Sequence, residues 1–313
     1  MFSPQQLLDH INSRKADYNR IRCHPSFICH IKEESFDLNF FVPVKERVEF
    51  FRPFIEYAKR SAENSPYKVR FVFIENDVSP KYSELCAAEK IDYIFIPSEV
   101  SLSEGIFAKA LAYNMGFICT PRVLWSVYHD LDILIDNNYF RDLKTYLEKN
   151  VSWLQPYTGK RVILLGSDIS NSIIKSAGNG SLIDLNSAQD KKPSNVGCPG
   201  GSIVVKAEDF INIGGYDPEL FFGYSPEDSF FWSKLEVLHG AKKCPFSTHF
   251  QGNGVYADDP KIDVYHLYHP SVQNNNPYYP KMLEVLDSFY KFSNKDRLEL
   301  IELKKQIFRE ALQ

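Results

Sequence analysis

Residues 123–132 read VLWSVYHDLD, so a run of apolar and aromatic residues leads directly into two aspartates. The run Val123–Tyr128 has the length and composition of a buried β-strand. Asp130 and Asp132 follow at the carboxyl end of this strand. Two carboxylates so spaced can face one crevice, where their oxygens would hold a divalent cation. Acids with this spacing are also common in solvated loops, so the pair alone leaves both interpretations open.

Strands and helices alternate four times in the half of the chain that ends at this segment. The other predicted strands are Leu38–Val42, Val69–Ile74 and Ile91–Ile96, and the helices between them are Val48–Arg60, Tyr82–Lys90 and Gly105–Tyr113. This alternation predicts an α/β fold with a Rossmann-like, parallel central sheet and helices on both faces. Ligand groups are then expected at the carboxyl ends of the strands, where Glu75 and Asp77 follow the second strand.

The second half of the chain is less regular. We predict helices at Asn138–Lys149, Ala207–Ile213 and Pro226–His239, a strand at Arg161–Leu165, and a further strand beginning at Gly200. The stretch Ser167–Asn195 is rich in Ser, Asn and Gly and is predicted as a long loop or small insertion over the site. The chain thus divides into an N-terminal helical extension (1–35), an α/β domain (36–280) and a C-terminal helical tail (281–313).

Composition excludes several classes of protein. The 14% of aromatic residues would collapse into a core, which excludes a disordered chain. The 36 basic and 40 acidic residues are dispersed, so no basic face for nucleic acid is expected. No apolar run is long enough to span a membrane, and the N-terminus has no export-signal pattern. The six cysteines have no C-x-x-C spacing, so we expect free thiols in a cytoplasmic protein.

Two later segments carry further candidate site residues. Gly200-Gly201 would let the backbone approach a bound sugar, and Glu227-Asp228 begins a predicted helix. A carboxylate there could act as general base for a hydroxyl, although acids are also favoured at helix starts by the macrodipole alone. His266 and His269 are spaced to share one face of a helical turn and to bind a metal together, but such pairs are also common as surface or core residues.

In this order, the pieces resemble the catalytic region of the beta-1,4-galactosyltransferases and the related bacterial chondroitin-type polymerases. That family has V-P-[FY]-R-x-R, F-N-[RK]-x4-N-x-G, a strand ending in D-x-D, G-G with F-x-x-I-x-G-[FY], W-G-x-E-D and a histidine motif. The matching residues are Val42-Pro43, Lys45 and Arg47, Phe107, Lys109, Asn114 and Gly116, Asp130 and Asp132, Gly200-Gly201, Phe210 with Gly214-Gly215-Tyr216, Glu227-Asp228, His266 and His269. The resemblance covers residues 38–280.

The resemblance implies a GT-A fold and a role for each matching residue. Pro43, Lys45 and Arg47 would surround the donor nucleotide, Glu75 would contact its base, Lys109 would lie near the diphosphate or ribose, Asp130 would bind the ribose or sugar, and Gly200 and Gly201 would line the sugar. Asp132, His266 and His269 would bind the metal, and histidine among the ligands favours Mn²⁺ over Mg²⁺. Asp228 would deprotonate the acceptor, Glu227 would orient it, and Tyr224 would contact it.

The implied activity is an inverting, metal-dependent transfer of a hexose such as Gal, GalNAc or Glc from a UDP-sugar to a saccharide or lipid-linked saccharide acceptor. We expect a bacterial enzyme of capsule or lipopolysaccharide synthesis, cytoplasmic and either free or docked at the inner membrane face. Two features depart from the family: Tyr224-Ser225-Pro226 replaces Trp-Gly, and Lys45 replaces an arginine. Tyr224, Trp232, Tyr265, Tyr268, Tyr278 and Tyr279 are candidate saccharide contacts, although Trp232 is better explained as a core residue.

Two other functions remain open from the sequence. A sugar nucleotidyltransferase would need a glycine-rich phosphate loop after the first strand, and residues 44–47 contain no glycine. A catalytically inactive module that binds a sugar nucleotide or glycan would not need the acidic pairs and both histidines. The sequence specifies neither the donor sugar, the acceptor nor the oligomeric state.

Overall fold

A computed structural model describes residues 1–103, 105–148, 151–157, 161–188, 191–193, 200–239, 262–270 and 276–313. The strands are β1 (Ile28–His30), β2 (Leu38–Val44), β3 (Val69–Asp77), β4 (Asp92–Pro97), β5 (Trp125–His129), β6 (Ile133–Ile135), β7 (Trp153–Leu154), β8 (Val162–Leu165), β9 (Lys191–Pro193), β10 (Ser202–Lys206) and β11 (Val264–His266). The helices are α1 (Pro4–Arg14), α2 (Tyr18–Arg22), α3 (Phe51–Glu63), α4 (Ser83–Glu89), α5 (Lys109–Cys119), α6 (Tyr139–Leu147), α7 (Ser167–Gly178), α8 (Ala207–Asn212), α9 (Glu227–Leu238), α10 (Tyr279–Lys291) and α11 (Asn294–Ala311).

The main sheet has seven strands in the order β1-β4-β3-β2-β5-β10-β7. The four central strands β4, β3, β2 and β5 are parallel, as the alternation of strands and helices predicts. β1, β10 and β7 extend the sheet by antiparallel pairing. The carboxyl ends of the parallel strands therefore lie at the same end of the sheet. The residues that follow β2, β3 and β5 are brought together there.

Helices cover both faces of this sheet, as predicted. Phe40 and Phe41 are neighbours in β2 and so face opposite sides. The Phe40 ring packs against Phe54 of α3 and Phe140 of α6, with centroids 6.2 and 5.6 Å away. On the other side α5 lies so close that a Cβ atom on Gly116 would be 3.0 Å from the Phe41 ring. The core is consequently continuous through the sheet.

A second sheet has four strands in the order β6-β11-β8-β9. It lies beside the carboxyl ends of the parallel strands. β6 begins immediately after Asp132, and β11 pairs with it so that His266 stands opposite Ile133. The amide of Leu267 then donates to the carbonyl of Asp132 over 2.8 Å. This small sheet brings residues 264–269 to the aspartates, although about 130 residues separate them in the chain.

Two predictions of local structure are wrong. The polar stretch from Ser167 is not a loop throughout, because α7 occupies Ser167–Gly178 and packs on α3 through apolar residues that include Ile173. The rest of that stretch lies partly outside the described residues. His266 and His269 do not share a helical turn either: His266 ends β11, and His269 follows in irregular backbone.

The terminal segments pack on the main body of the protein. α1 and α11 contact each other, and α11 also contacts α8 and α9. The C-terminal tail, predicted as one helical segment, consists of two helices. α10 ends at its C-cap Phe292, and the next residue, Ser293, is the N-cap of α11. The N-terminal segment, predicted as helical, also supplies β1, which pairs with β4 at the sheet edge. None of the described helices is both long and apolar enough to cross a lipid bilayer.

Candidate active site

Asp130 and Asp132 lie at the carboxyl end of β5 and belong to two different clusters of side chains. The amide of Asp130 donates to the carbonyl of Gly201 over 2.8 Å, which fixes the chain at the β5–β10 junction. His129, directly before them, turns into the core: its Nε2 lies 2.8 Å from the carbonyl of Ile133. Burial lowers the pKa of His129 to about 4, so this histidine is neutral and structural.

Asp132, His266 and His269 form the first cluster. One ligand atom from each residue lies within 4.8 Å of the other two. Nε2 of His269 is 3.0 Å from Oδ2 of Asp132, and this contact raises the pKa of His269. Burial alone would raise the pKa of Asp132, but the hydrogen bond with His269 and the influence of His266 and Arg47 outweigh it and hold the pKa well below its ordinary range.

Arg47 reaches this cluster from an unusual backbone conformation. Glu46 and Arg47 are consecutive non-glycine residues with φ of 56° and 51°, in the left-handed region. Such residues typically cost roughly 1–3 kcal/mol each and concentrate at functional sites. The turn aims the guanidinium at the cluster, with Nη1 2.6 Å from Asp132 Oδ2 and Nη2 3.2 Å from His269 Nδ1. Arg47 thus supplies positive charge beside the metal-ligand candidates.

Lys109 is the centre of the second cluster. Its ammonium lies 3.0 Å from Asp130 Oδ1, 3.1 Å from Glu227 Oε1 and 2.9 Å from Asp228 Oδ2. Its side chain is only 12% exposed. Burial would lower the pKa of Lys109, but the three carboxylates outweigh burial and raise the pKa well above the ordinary value, so Lys109 stays charged. Lys109 thereby holds together acids from β5 and from the start of α9.

Asp228 has the most perturbed environment of these acids. Burial raises the pKa of Asp228 to about 7, with Glu227 and Asp130 acting in the same direction and Lys109 against them. The Tyr216 hydroxyl lies 3.3 Å from Oδ1, and Lys109 lies 2.9 Å from Oδ2. A carboxylate with a pKa near neutrality is suited to accept a proton during a reaction.

Gly200 gives Asp228 the space that it occupies. A Cβ atom at position 200 would lie 2.3 Å from Asp228 Oδ2. Ser202 of β10 stands opposite His129 of β5, so this pairing brings Gly200 and Gly201 to Asp130. The carbonyl of Gly200 also accepts a hydrogen bond from the Tyr157 hydroxyl over 2.6 Å.

We predict that Gly200→Ala displaces the Asp228 carboxylate and lowers kcat about 10- to 100-fold while the protein remains folded. The reason is geometric, since small displacements of a catalytic group cost rate steeply. Steady-state kinetics and circular dichroism measure the two effects. Gly178→Ala is the matched control, because a Cβ atom there meets nothing within 4 Å. Full activity in Gly200→Ala would show that the position of Asp228 does not matter.

Tyr224 and Tyr279 form an aromatic wall. The Tyr224 side chain is 45% exposed, and its ring packs against Tyr279 with the centroids 5.3 Å apart. The side-chain amide of Asn276 donates to the carbonyls of Phe222 and Tyr224 over 2.7 and 2.9 Å. These hydrogen bonds hold the backbone at Tyr224, three residues before Glu227 begins α9. The contact of Tyr224 with an acceptor stays a prediction.

Several predicted site residues lie elsewhere or have other partners. Glu75 is fully buried, and its carboxylate accepts hydrogen bonds from the amides of Lys81 and Tyr82, so it has no surface for a base and the predicted base contact is not supported. Trp232 and Tyr265 are buried core residues, which confirms the core interpretation of Trp232 and removes Tyr265 as a saccharide contact.

The remaining donor candidates stay close to the carboxyl end of β2. Pro43 is buried within β2, beyond the point where the pairing of β2 with β5 ends. The Lys45 ammonium donates to the carbonyl of Gly105, and Arg47 turns to Asp132. Their contacts with a donor stay predictions.

Two hydroxyl groups of this site were not predicted from the sequence. Tyr113 donates to Asp130 Oδ1 over 3.2 Å, and Tyr216 approaches Asp228. Tyr113 lies four residues after Lys109 in α5, a spacing that places both on one helix face and was a usable signal. Tyr216 is held by Asn114, which bonds both its amide (2.8 Å) and its carbonyl (3.0 Å).

The chain is similar in structure to several solved glycosyltransferases. The catalytic domain of Drosophila beta1,4-galactosyltransferase 7 in complex with xylobiose is 13% identical over 83% of this chain and 84% of that chain, with a TM-score of 0.41. The mannosyltransferase PcManGT from Pyrobaculum calidifontis, in complex with GDP-Man and Mn²⁺, is 12% identical over 95% and 83%, with a TM-score of 0.42. GalNAc-T7 with UDP, GalNAc and Mn²⁺ is 13% identical over 88% and 54%, with a TM-score of 0.49. No protein-family model and no curated protein sequence matches the chain.

Proposed function

We propose that the protein is an inverting, divalent-metal-dependent glycosyltransferase that moves a hexose from a UDP-sugar to a saccharide acceptor. The observation that carries the proposal is the junction of the two clusters. Asp132 belongs to the metal-ligand candidates and Asp130 to the Lys109 cluster, so two residues of chain, at most about 7 Å, separate them. A metal-bound diphosphate at the first cluster and a general base in the second would thus lie at the same end of the central strands.

The residues of the first cluster fit a divalent metal. A carboxylate and two imidazoles suit Mn²⁺, and Asp132, His266 and His269 would be its protein ligands. Nδ1 of His269 lies 2.9 Å from the carbonyl of Pro270 and 3.2 Å from Arg47 Nη2, so Nε2, which faces Asp132, is the ring nitrogen that would bind a metal. When bound, the ion would neutralise the diphosphate and make it a better leaving group.

In the transfer step, Asp228 would accept the proton of the acceptor hydroxyl as its oxygen forms a bond to the anomeric carbon. The bond from that carbon to the diphosphate breaks, and UDP departs with the electron pair. Lys109 and Tyr216 hold the two oxygens of Asp228 in place, while Ser225 donates to Glu227 over 2.7 Å and fixes the neighbouring acid. A single base behind the acceptor implies inversion of the anomeric centre.

We further propose that Glu227 and Tyr224 orient the acceptor and that Lys45, Arg47, Lys109, Asp130, Gly200 and Gly201 line the donor. Arg47 beside Asp132 and Lys109 beside Asp130 and Asp228 would supply positive charge to the diphosphate. As a biological setting we propose the assembly of a bacterial surface polysaccharide.

A UDP-release assay with Mn²⁺ across a panel of UDP-sugars tests the proposal. Slow hydrolysis without acceptor is expected for the correct donor, because water can take the acceptor's place. Calorimetry with UDP provides a second measurement, and chelation of the metal should abolish most of the UDP binding. UDP binding without any turnover would favour the inactive binding module. UDP binding that survives chelation would contradict the metal site.

The pH dependence of the reaction should report Asp228. Because its pKa is raised to about 7, the carboxyl is protonated below this pH and cannot accept a proton. We predict that kcat/KM at saturating metal falls about tenfold per pH unit well below 7 and levels off above it. The Asp228→Asn variant should lose this dependence in its residual activity. A wild-type profile that is flat between about pH 5.5 and 8 would contradict the assignment.

A further inference from the structure

A cleft lies behind the aromatic wall, between α1, α10 and the segment from Glu219 to Phe222. It encloses about 640 Å³, including its open mouth. Its floor is apolar and is formed by Leu7, Leu102, Leu220, Phe222, Met282 and Val285. The side chains of His10, Arg14 and Lys281 also line it. The cleft thus combines a hydrophobic floor with basic side chains.

The basic side chains give the cleft a net positive charge. Arg14 donates to the carbonyl of Leu102 over 2.8 Å, and Lys281 is exposed. Within the described ranges, neither forms an ion pair with a carboxylate. Burial lowers the pKa of His10, and the charges of Arg14 and Lys281 lower it further, so His10 is neutral at pH 7.

Among the described residues that line the cleft, Glu219 is the one acid, and it does not offset this charge. The Glu219 side chain is fully buried, and its Oε2 lies 2.6 Å from the ammonium of Lys304. Its Oε1 accepts the amide of Ala16 over 3.1 Å. Because Lys304 of α11 compensates the charge of Glu219, the positive charges of Arg14 and Lys281 remain at the cleft.

The cleft adjoins the proposed acceptor site. Phe222 and Tyr278 line it and contact each other with ring centroids 5.3 Å apart. Tyr224 and Tyr279, which follow them closely in the chain, form the aromatic wall. Asn276 bonds the carbonyls of both Phe222 and Tyr224. A molecule that passes over Tyr224 could therefore continue into the cleft.

We propose that this cleft binds the lipid phosphate portion of a lipid-linked acceptor. The apolar floor would take the first carbons of the lipid chain, and Arg14 and Lys281 would bind the phosphate. Charge complementarity favours this occupant: a neutral saccharide has no negative charge to pair with Arg14 and Lys281, and a nucleotide would leave the apolar floor without contacts. The proposal rests on the proposed function, since it gives the acceptor of that reaction its chemical class.

Direct binding of dodecyl phosphate, below its micelle concentration and without donor or metal, tests the proposal. We expect it to bind at least about tenfold more tightly than inorganic phosphate and than dodecyl maltoside, which each carry half of the recognised chemistry. Lys281→Glu, alone and with Arg14→Glu, should weaken binding at least about tenfold. Lys295→Glu makes the same charge change at an exposed position in the first turn of α11 and should leave binding unchanged.

Two further measurements separate the possible failures. UDP binding with Mn²⁺ is measured on every variant and should match the wild type, which shows that each variant is folded. Equal binding of dodecyl phosphate and dodecyl maltoside, or wild-type binding in Lys281→Glu, would overturn the proposal. If wild-type protein binds no UDP with Mn²⁺, the proposed function fails while the dodecyl phosphate result still reports on the cleft.

Discussion

Replacing Asp228 by Asn is expected to lower kcat about 10²- to 10⁴-fold, the contribution typical of a general base. The amide has nearly the same shape as the carboxylate and can keep one hydrogen bond to Lys109 or Tyr216. It cannot accept a proton from the acceptor hydroxyl. Steady-state kinetics on the UDP-sugar identified by UDP release measures the loss, and UDP binding with Mn²⁺ should be unchanged because Asp228 is not a metal-ligand candidate.

The stability of Asp228→Asn distinguishes the loss of a general base from misfolding of the variant. The folded-state pKa of Asp228 is raised above the ordinary value of 3.8, so between about pH 4 and 7 the folded state holds a proton that the unfolded state has lost. Stability therefore falls as the pH rises through this range, and the ionised, buried carboxylate destabilises the protein at pH 8. Asp228→Asn should melt at the same temperature as the wild type or higher.

A matched control exists in α6. Asp142 also lies in the first turn of its helix, but it is only partly buried and its carboxylate pairs with the exposed Arg141 over 3.1 Å. Asp142→Asn should keep full activity. Wild-type turnover in Asp228→Asn would show that another group takes the proton, and a lower melting temperature would show that Asp228 serves the fold rather than the reaction.

The central sheet was predictable because its strands are buried on both faces. Their apolar runs, separated by helical periodicity, give the parallel core from β2 to β5 without any long-range information. β1 was missed because its three residues, Ile28-Cys29-His30, carry too little pattern. α7 was missed because its serines and asparagines suggest a loop, although Ile169, Ile173 and Ala177 recur every four residues.

The candidate site was predictable as a set of residues but not as an arrangement. The resemblance placed Lys109 near the diphosphate or ribose but did not indicate the acids from positions 130, 227 and 228 that surround it. Such a cluster forms only when α5, the end of β5 and the start of α9 meet, so local sequence patterns contain no signal for it. For the same reason, Glu75 looked like a base contact although its carboxylate accepts from the amides of Lys81 and Tyr82 and from the Tyr93 hydroxyl.

Removing a metal-ligand candidate should have the second large effect. We expect Asp132→Asn and His266→Ala each to weaken Mn²⁺ binding by about 100-fold or more, above the 10- to 100-fold typical of an outer-shell partner. The loss is expected because Asp132, His266 and His269 lie together in the fold, and Asp132 is the carboxylate among these three ligand candidates. Electron paramagnetic resonance of free Mn²⁺ measures the affinity without any dependence on turnover.

His30→Ala is the control for loss of a histidine, because His30 is exposed on the edge strand β1 at the far side of β4. UDP binding should lose its metal-dependent part in Asp132→Asn and His266→Ala and keep it in His30→Ala. In Asp132→Asn the Arg47 guanidinium also loses its carboxylate partner at 2.6 Å, so some metal-independent UDP binding through Arg47 is expected to remain. Unchanged Mn²⁺ affinity in both site variants would place the metal elsewhere and remove the basis of the proposed mechanism.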